Sequence, residues 1–347
     1  MPQLPEAPAG IPEAPRDAPL EEILRAQTPL VVRELVAHWP AVRAATRSPV
    51  AAAAYLRRFA HDALPAIATI APPEARGRVF YDDAMRGFNF RHERVPMSVA
   101  LNTLVKYLDH ADPPTIYLAA TTLDTFLPGL RADNPLDLGE RDPLASIWIG
   151  NRTRVPTHQD LPDNLACVVA GRRRFTLFPP EQLRNLYVGP LDFTPAGQPV
   201  SLVDPLAPDL ARFPRFAEAQ RHALAAELAP GDAILIPSMW WHHIEGLEPF
   251  NALVNYWWRR SPEWMDSPVN ALLHALLAIR DLPPAERAIW QDAFGHYVFE
   301  PEADPAAHIP PHARGVLGPP GPERAAALRA RLARALSRAA SDDEPPA

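Results

Sequence analysis

The chain has 347 residues, of which 47% are hydrophobic, and this length and composition exclude disorder throughout because a sizeable core can be buried. No apolar run reaches the roughly eighteen residues that span a bilayer, and the N-terminus lacks the basic and apolar segments of a signal peptide, so we expect a cytoplasmic protein that is not inserted in a membrane. The formal net charge of −7 argues against nucleic acid as a partner.

The first residues are rich in proline, which prevents regular hydrogen bonding and predicts a disordered, extended tail over residues 1–18. A folded domain is expected over residues 19–260, and its first part mixes helical and strand patterns. The elements predicted there are a strand at 29–35 and helices at 50–59 and 99–108, with Ser48 and Ser98 as their N-caps.

From about residue 116 the sequence changes to short apolar runs separated by turns, among them Gly171 and the segment 230–232. Several short strands connected in this way predict a mainly β fold with some helix, in which the core is a double-stranded β-helix, that is, a jelly roll or cupin. The predicted strands are 116–120, 146–150, 165–170, 174–178, 233–237 and 251–258.

Beyond Arg260 the pattern becomes helical, and three segments carry an apolar stripe along one face. Such stripes have to be buried against a core or against a second subunit, so we expect a helical region over 261–340 that is a candidate homodimer surface. Residues 341–347 are predicted to form a disordered acidic tail. The three predicted helices are 268–279, 284–298 and 322–336.

His158 and Asp160 form a His-x-Asp motif, and residues two apart on an extended strand point to the same face, where both can bind one metal ion. Alone the motif is weak, because similar pairs begin at His110 and at His243. What distinguishes it is a turn, an apolar strand and the pair His242-His243 about eighty residues downstream. Strand alternation means that one imidazole of this pair faces the motif and the other faces away. Two histidines and a carboxylate leave coordination positions open, which suits non-haem iron(II) better than a closed structural site.

The motifs that belong to this pattern occur in a fixed order between residues 148 and 258. They are His158-Gln-Asp160, Asn164, the segment 171–180, Gly231-Asp232, Ile236-Pro237, the segment 240–245 and Asn255-Tyr-Trp257. This arrangement resembles the cupin-like, JmjC-related hydroxylases, a family that includes the asparaginyl hydroxylase of the hypoxia response. By that resemblance His242 is the third ligand of Fe(II), with His158 and Asp160. The resemblance also implies that oxidative decarboxylation of 2-oxoglutarate by O2 is coupled to hydroxylation of a C–H bond.

The resemblance places the residue that binds the far carboxylate of 2-oxoglutarate on the strand after the Gly171 turn, where it maps to Arg173. An arginine can hold a carboxylate through two parallel hydrogen bonds. Arg172 and Arg174 are the alternatives, and their side chains are expected on the opposite face of the strand from Arg173.

Three further residues match positions that line the cosubstrate pocket in the family. Tyr117 matches a tyrosine that hydrogen-bonds the same carboxylate, while Asn164 and Asn255 match polar residues of the pocket wall. Val155 departs from the pattern, because the asparaginyl hydroxylase has a threonine there that contacts the cosubstrate. One hydrogen bond to 2-oxoglutarate is therefore expected to be missing.

Two other functions fit the same motifs. A cosubstrate-independent cupin enzyme would keep the metal ligands without needing Arg173 and Tyr117, and a non-catalytic metal-binding scaffold would use the C-terminal helices for assembly. The sequence does not identify the substrate, which is a protein side chain or a small molecule; analogy with the family favours the protein side chain.

Overall fold

The computed structural model describes residues 8–300 and 304–341. The described residues form two compact units, of which the first ends at Arg260 and the second begins at Ser261. The first unit contains two β-sheets with helices packed against both of them. The predicted fold class, mainly β with helices around a jelly-roll core, is confirmed.

The smaller sheet has five strands, and the strand that ends at His158 lies at its edge. All pairings in it are antiparallel except that of the first strand, which is parallel to its neighbour. In spatial order its strands are β1 (Ala9–Gly10), β10 (Leu224–Leu228), β9 (Arg173–Phe178), β12 (Trp241–Gly246) and β7 (Arg154–His158).

The larger sheet has eight strands, and the strands at one end of it lie beyond the part that faces the smaller sheet. Its pairings are antiparallel throughout. In spatial order its strands are β2 (Leu30–Val32), β11 (Ala233–Ile236), β8 (Asp163–Ala170), β13 (Asn251–Trp258), β6 (Leu144–Gly150), β5 (Thr115–Thr122), β3 (Ala66–Ala71) and β4 (Arg91–Val95).

Strand β8 is buried on both faces, which explains why its sequence is apolar from Leu165 to its end. Ala166 and Val168 pack between the sheets with Phe175 and Leu177 of β9. The alternate side chains, among them Leu165, face the opposite way into a larger cluster shared with the helices. One face of β8 therefore packs in the core between the sheets, where the site lies, and the other face packs in the core shared with the helices.

Short helices pack against the two sheets, and some of them begin at local sequence signals. The Ser48 hydroxyl accepts a hydrogen bond from Ala51 N, and Pro49 occupies the first turn, so the predicted cap is confirmed. The helices of the first unit are α1 (Leu20–Ile23), α2 (Pro40–Arg47), α3 (Pro49–Arg57), α4 (Met97–Lys106), α5 (Leu123–Phe126), α6 (Leu130–Asp133) and α7 (Phe216–Arg221).

The structure corrects two predictions near the N-terminus. Ser98 does not cap a helix, because α4 already begins at Met97 and the Ser98 amide donates instead to the Asp62 carboxylate. The predicted disordered tail does not extend over residues 8–18, where β1 pairs with β10 and Ile11 is buried. Residues 1–7 of that predicted tail lie outside the described residues.

The second unit is helical and contains α8 (Pro268–Ala278), α9 (Pro284–Phe294) and α10 (Pro322–Ser341). Ser267 caps α8 by accepting a hydrogen bond from Val269 N. The acidic tail predicted after residue 341 lies outside the described residues. Across residues 8–300 and 304–341, no helix is both long enough and apolar enough to cross a bilayer.

Candidate metal centre

His158 and His242 are direct neighbours across the pairing of β7 with β12. Their ring centroids are 4.2 Å apart. One extra residue in β7 between Val155 and His158 forms a bulge opposite His242 and Ile244, and bulges of this kind re-aim side chains next to active sites. Pro156 is tolerated in this segment because β7 is an edge strand.

Asp160 completes the cluster, and ligand atoms of His158, Asp160 and His242 all lie within 4.8 Å of one another. Asp160 Oδ2 is 3.5 Å from His242 Nε2. The assumption that one strand carries both residues of the His-x-Asp motif was wrong, because β7 ends at His158 and Asp160 lies in the turn that follows. The Asp160 carbonyl accepts a hydrogen bond from Met239 N, so the backbone of this turn is tied to the segment that precedes β12.

The two imidazoles are oriented by the backbone. His158 Nδ1 lies 2.8 Å from the Pro156 carbonyl and His242 Nδ1 lies 3.0 Å from the Trp240 carbonyl. A carbonyl only accepts hydrogen bonds, so each Nδ1 carries a proton and each Nε2 keeps its lone pair for a metal.

Burial and mutual proximity favour the neutral imidazole and the ionised carboxylate that metal ligation requires. Burial, followed by the influence of His242, lowers the pKa of His158 to about 4. Burial alone would raise the pKa of Asp160, but the neighbouring His242 and His158 outweigh it and the pKa is lowered.

His243 points away from this cluster, as strand alternation predicted. Its ring is buried and, within the described residues, neither ring nitrogen has a hydrogen-bond partner. Burial and the nearby Arg154 lower the pKa of His243 to about 3, so it is neutral. Of the two histidines predicted as alternatives, the structure places His242 with the other two residues.

Arg173 is 1% exposed and points into the protein from β9. Its Nη2 donates to the Trp148 carbonyl over 3.2 Å, and no carboxylate of the described residues pairs with its guanidinium. Arg172 and Arg174 are exposed and pair with acidic residues, among them Glu227. A buried, unpaired arginine costs several kcal/mol, on the order of 3–5 kcal/mol when its partner is removed, so Arg173 is prepared for an anionic ligand.

Tyr117 lies next to Arg173 on the side of the ligand cluster. Burial raises the pKa of Tyr117 to about 12 although the positive charge of Arg173 opposes this effect, so the hydroxyl is protonated and can donate. The buried pair of Arg173 and Tyr117 fits the far carboxylate of a keto acid, and the two histidines with Asp160 fit iron(II). The residues therefore match both groups that the sequence pattern implied.

Asn164 and Asn255 form a buried network that reaches the pocket through Trp148. Asn255 Nδ2 donates to Asn164 Oδ1 over 3.2 Å, and the Trp148 indole donates to Asn255 Oδ1 over 2.7 Å. The Trp148 ring, 6.1 Å from that of Tyr117, lines the pocket. Asn255, which was predicted to line the cosubstrate pocket, thus uses its side-chain oxygen to accept a hydrogen bond from this indole.

A cavity of about 620 Å³ opens in front of the ligand cluster, and His158, Asp160, Tyr117 and Trp148 form its inner wall. Val155 also lines it, and this is the position at which the asparaginyl hydroxylase has a threonine. The outer wall comes from regions that the sequence did not single out: β3, the segment around β4, and the loop 195–200. Their contribution was not predictable because it depends on the larger sheet extending past the jelly roll.

The chain belongs to the cupin-like domain family, since the family model described as a cupin-like domain matches residues 15–264. It is similar to HSPB1-associated protein 1 of Homo sapiens, with 36% identity over 121 residues that cover 34% of this chain and 24% of the relative. It is 28% identical over 265 residues to bifunctional peptidase and (3S)-lysyl hydroxylase JMJD7 of Homo sapiens, covering 66% of this chain and 77% of that protein. It is also 34% identical over 132 residues to lysine-specific demethylase JMJ31 of Arabidopsis thaliana, covering 36% of this chain and 24% of the relative.

The matched lengths differ among these relatives. The chain spans about a quarter of HSPB1-associated protein 1 and of the demethylase, but 77% of the lysyl hydroxylase. The fold, the match of the family model and these relatives together support an oxygenase of the JmjC-related cupin type.

Proposed function

We propose that this chain is an iron(II)- and 2-oxoglutarate-dependent dioxygenase that hydroxylates a C–H bond of its substrate, with His158, Asp160 and His242 as the metal ligands. The observation that carries the proposal is the buried Arg173, which has no carboxylate partner within the described residues and lies beside Tyr117, a residue that lines the same cavity as His158 and Asp160. A metal site alone fits many cupins, but a buried cation without a counter-ion requires an anionic ligand.

Iron(II) and 2-oxoglutarate, when bound, supply the activation of O2 that such a hydroxylation needs. The residues of the chain bind and orient the metal and the cosubstrate. His158 and His242 keep their protons at Nδ1 through the backbone carbonyls, which leaves both Nε2 atoms free. Arg173 and Tyr117 bind the far carboxylate, and the rings of Trp148 and Trp257 exclude water from the inner wall of the cavity.

The two alternative functions that fit the sequence motifs are less well supported. A cosubstrate-independent cupin enzyme does not need a buried guanidinium beside a tyrosine of its cavity wall. A non-catalytic scaffold does not need a cavity of about 620 Å³ in front of its ligands. The class of substrate is a proposal as well: two relatives are named for lysine, which supports a protein side chain, and a resemblance to the asparaginyl hydroxylase in particular rests on the motifs alone.

The proposal predicts that iron(II) and then 2-oxoglutarate, added without oxygen, give the visible charge-transfer band of a keto acid chelated to iron. His158→Ala should remove the band because one of three ligands is lost. His110→Ala is the matched control, since His110 begins a similar His-x-acid pair that is exposed and outside the cluster. Absorbance spectroscopy under anaerobic conditions measures the band, and an equal band in wild type and His158→Ala would contradict the assignment.

A further inference from the structure

The outer wall of the cavity carries a surface that we call the cavity rim, formed by Ile67, Thr69, Phe90, His92 and Arg94. Strands β3 and β4 pair in antiparallel register, with Thr69 opposite His92 and Ile67 opposite Arg94. Residues directly opposite each other share one face of a sheet. His92 Nδ1 lies 3.2 Å from the Thr69 hydroxyl, so this shared face is the one that lines the cavity.

The cavity offers apolar surface to the group that enters it. Ile67 is 54% exposed at the rim although it is an isoleucine, and Val79, Ala119 and Trp257 continue the apolar wall inward. An exposed aliphatic side chain at the mouth of a cavity is typical of a surface that an apolar partner covers.

Negative charge is scarce on this surface. Among the described residues that line the cavity, the carboxylates are Asp160, which belongs to the ligand cluster, and Glu93. Glu93 lies on the face of β4 opposite to His92 and Arg94, and its Oε1 is 2.7 Å from Arg91 Nη2. The ammonium group of a lysine in this cavity would therefore find no free counter-ion, and an unpaired buried charge is costly.

Arg94 gives the rim a positive charge. It is exposed, and within the described residues no carboxylate lies within salt-bridge distance of its guanidinium. An arginine in this state can bind a carboxylate of a partner through two parallel hydrogen bonds. The rim therefore combines apolar surface with a cation that is available for an acidic group.

Strand β4 also lies at the edge of the larger sheet in the described part of the chain. An edge strand presents backbone N–H and C=O groups that an extended peptide can pair with. The negative net charge of the chain disfavours a nucleic-acid strand on the same surface. Backbone pairing at this edge thus favours a peptide, whose chain would then cross the rim from Arg94 towards the cavity mouth.

We propose that the substrate is an extended peptide whose target side chain is uncharged and apolar and whose neighbouring acidic residue pairs with Arg94. This inference rests on the proposed function and specifies its substrate. Arg94 on β4 lies two strands across and two residues along the register from Tyr117, which lines the inner wall of the cavity. At the usual strand spacing and rise this is roughly 12 Å, or between three and four residues of extended chain. The acidic residue is therefore expected three or four positions from the target.

The test measures binding of fluorescein-labelled, capped nonapeptides to the full chain loaded anaerobically with iron(II) and 2-oxoglutarate. The first peptide has a central leucine, glutamates three positions to either side, and alanine or glycine elsewhere. The second has lysine at the centre, and the third has lysines in place of the glutamates. Single-stranded oligonucleotides of nine residues serve as the nucleic-acid probe. The charge-transfer band is recorded before each titration, so a failure of the proposed function is seen separately from a failure to bind peptide.

We expect the leucine-centred acidic peptide to bind at least tenfold more tightly than either other peptide. Arg94→Glu should weaken its binding about tenfold and should improve binding of the peptide with flanking lysines. Arg86→Glu is the matched control, because Arg86 is an exposed arginine outside the cavity lining, and it should change neither affinity.

Three outcomes would overturn the inference. These are a lysine-centred peptide that binds as tightly as the leucine-centred one, equal losses in the Arg94→Glu and Arg86→Glu variants, and no peptide binding at all. Tighter binding of the oligonucleotide than of any peptide would likewise overturn it in favour of a nucleic-acid substrate.

Discussion

At the scale of single residues, the orientation of the two histidine ligands depends on backbone carbonyls rather than on acidic side chains. Pro156 and Trp240 each lie two residues before the histidine whose Nδ1 they bind. These hydrogen bonds are local, so each imidazole is oriented by its own strand. The cluster is preorganised because both strands are also paired with each other.

The identities of these residues could be read from the sequence, but their surroundings could not. The spacing of His158, Asp160 and His242 indicated a cluster, and strand alternation indicated that Arg173 and His243 point away from their neighbours. Alternation did not tell which histidine of the pair faces the cluster, since it fixes only that the two differ. It also failed for Asp160, because the strand stops two residues earlier.

Arg173→Met tests the role of the buried guanidinium. The affinity for 2-oxoglutarate should fall at least a hundredfold, because about 3–5 kcal/mol is lost when one partner of a buried ion pair is removed. Without 2-oxoglutarate the free energy of unfolding should stay within about 1 kcal/mol of wild type or rise, because an apolar side chain replaces an unpaired buried charge.

Calorimetric titration and urea denaturation measure these two quantities. Arg174→Met is the matched control, since Arg174 is the next residue on the same strand and is exposed on the other face. Retention of full cosubstrate affinity in Arg173→Met would contradict the assigned role.

At the scale of elements, the buried apolar strands were predicted well, whereas β10 of the smaller sheet and the rim strands β3 and β4 were not. Strands β8 and β13 are mostly apolar because both of their faces are buried, and the predicted ranges nearly match them. Strand β3 is rich in alanine, and β4 carries four charged or polar residues because it is an exposed edge. Neither has the apolar alternation that identifies a strand, so the part of the cavity that they build was missed.

The turn between β8 and β9 provides an element-scale prediction at Gly171. Its φ is +69°, and a Cβ atom there would lie 2.5 Å from the Phe250 carbonyl oxygen, which is backbone and cannot move aside easily. Gly171→Ala should therefore lower the free energy of unfolding by about 2–4 kcal/mol, from the left-handed backbone and the steric overlap together.

Gly197→Ala is the control for Gly171→Ala. Gly197 also has a positive φ, of +88°, but a Cβ there meets nothing within 4 Å, so the loss should be about 1 kcal/mol. Urea denaturation compares the two variants. Equal losses would show that the overlap with the Phe250 carbonyl does not matter.

At the scale of the whole molecule, the second unit displays a large amount of apolar surface. Leu277 on α8 is 78% exposed and Phe299 is 71% exposed, and Ile289 on α9 and Leu332 on α10 are exposed as well. A large amount of exposed apolar surface marks a protein interface more often than a free surface. We propose that the second unit joins two copies of the chain into a homodimer.

Truncation after Arg260 tests this proposal. The full chain should have twice the mass of one protomer in light scattering, and the truncated chain should have the mass of one, because the exposed apolar helices are removed. Leu277→Glu in the full chain is a milder variant that should weaken association without removing any helix. An unchanged mass ratio after truncation would rule out this interface.

The pairing of β7 with β12 has a consequence for how the sheet and the ion depend on each other. His158 and His242 face each other only in the register that contains the extra residue near Pro156. A slip of one residue along this boundary would turn one imidazole to the outer face and abolish chelation. An ion held by both rings would therefore also stabilise the alignment of the outermost strand against its neighbour.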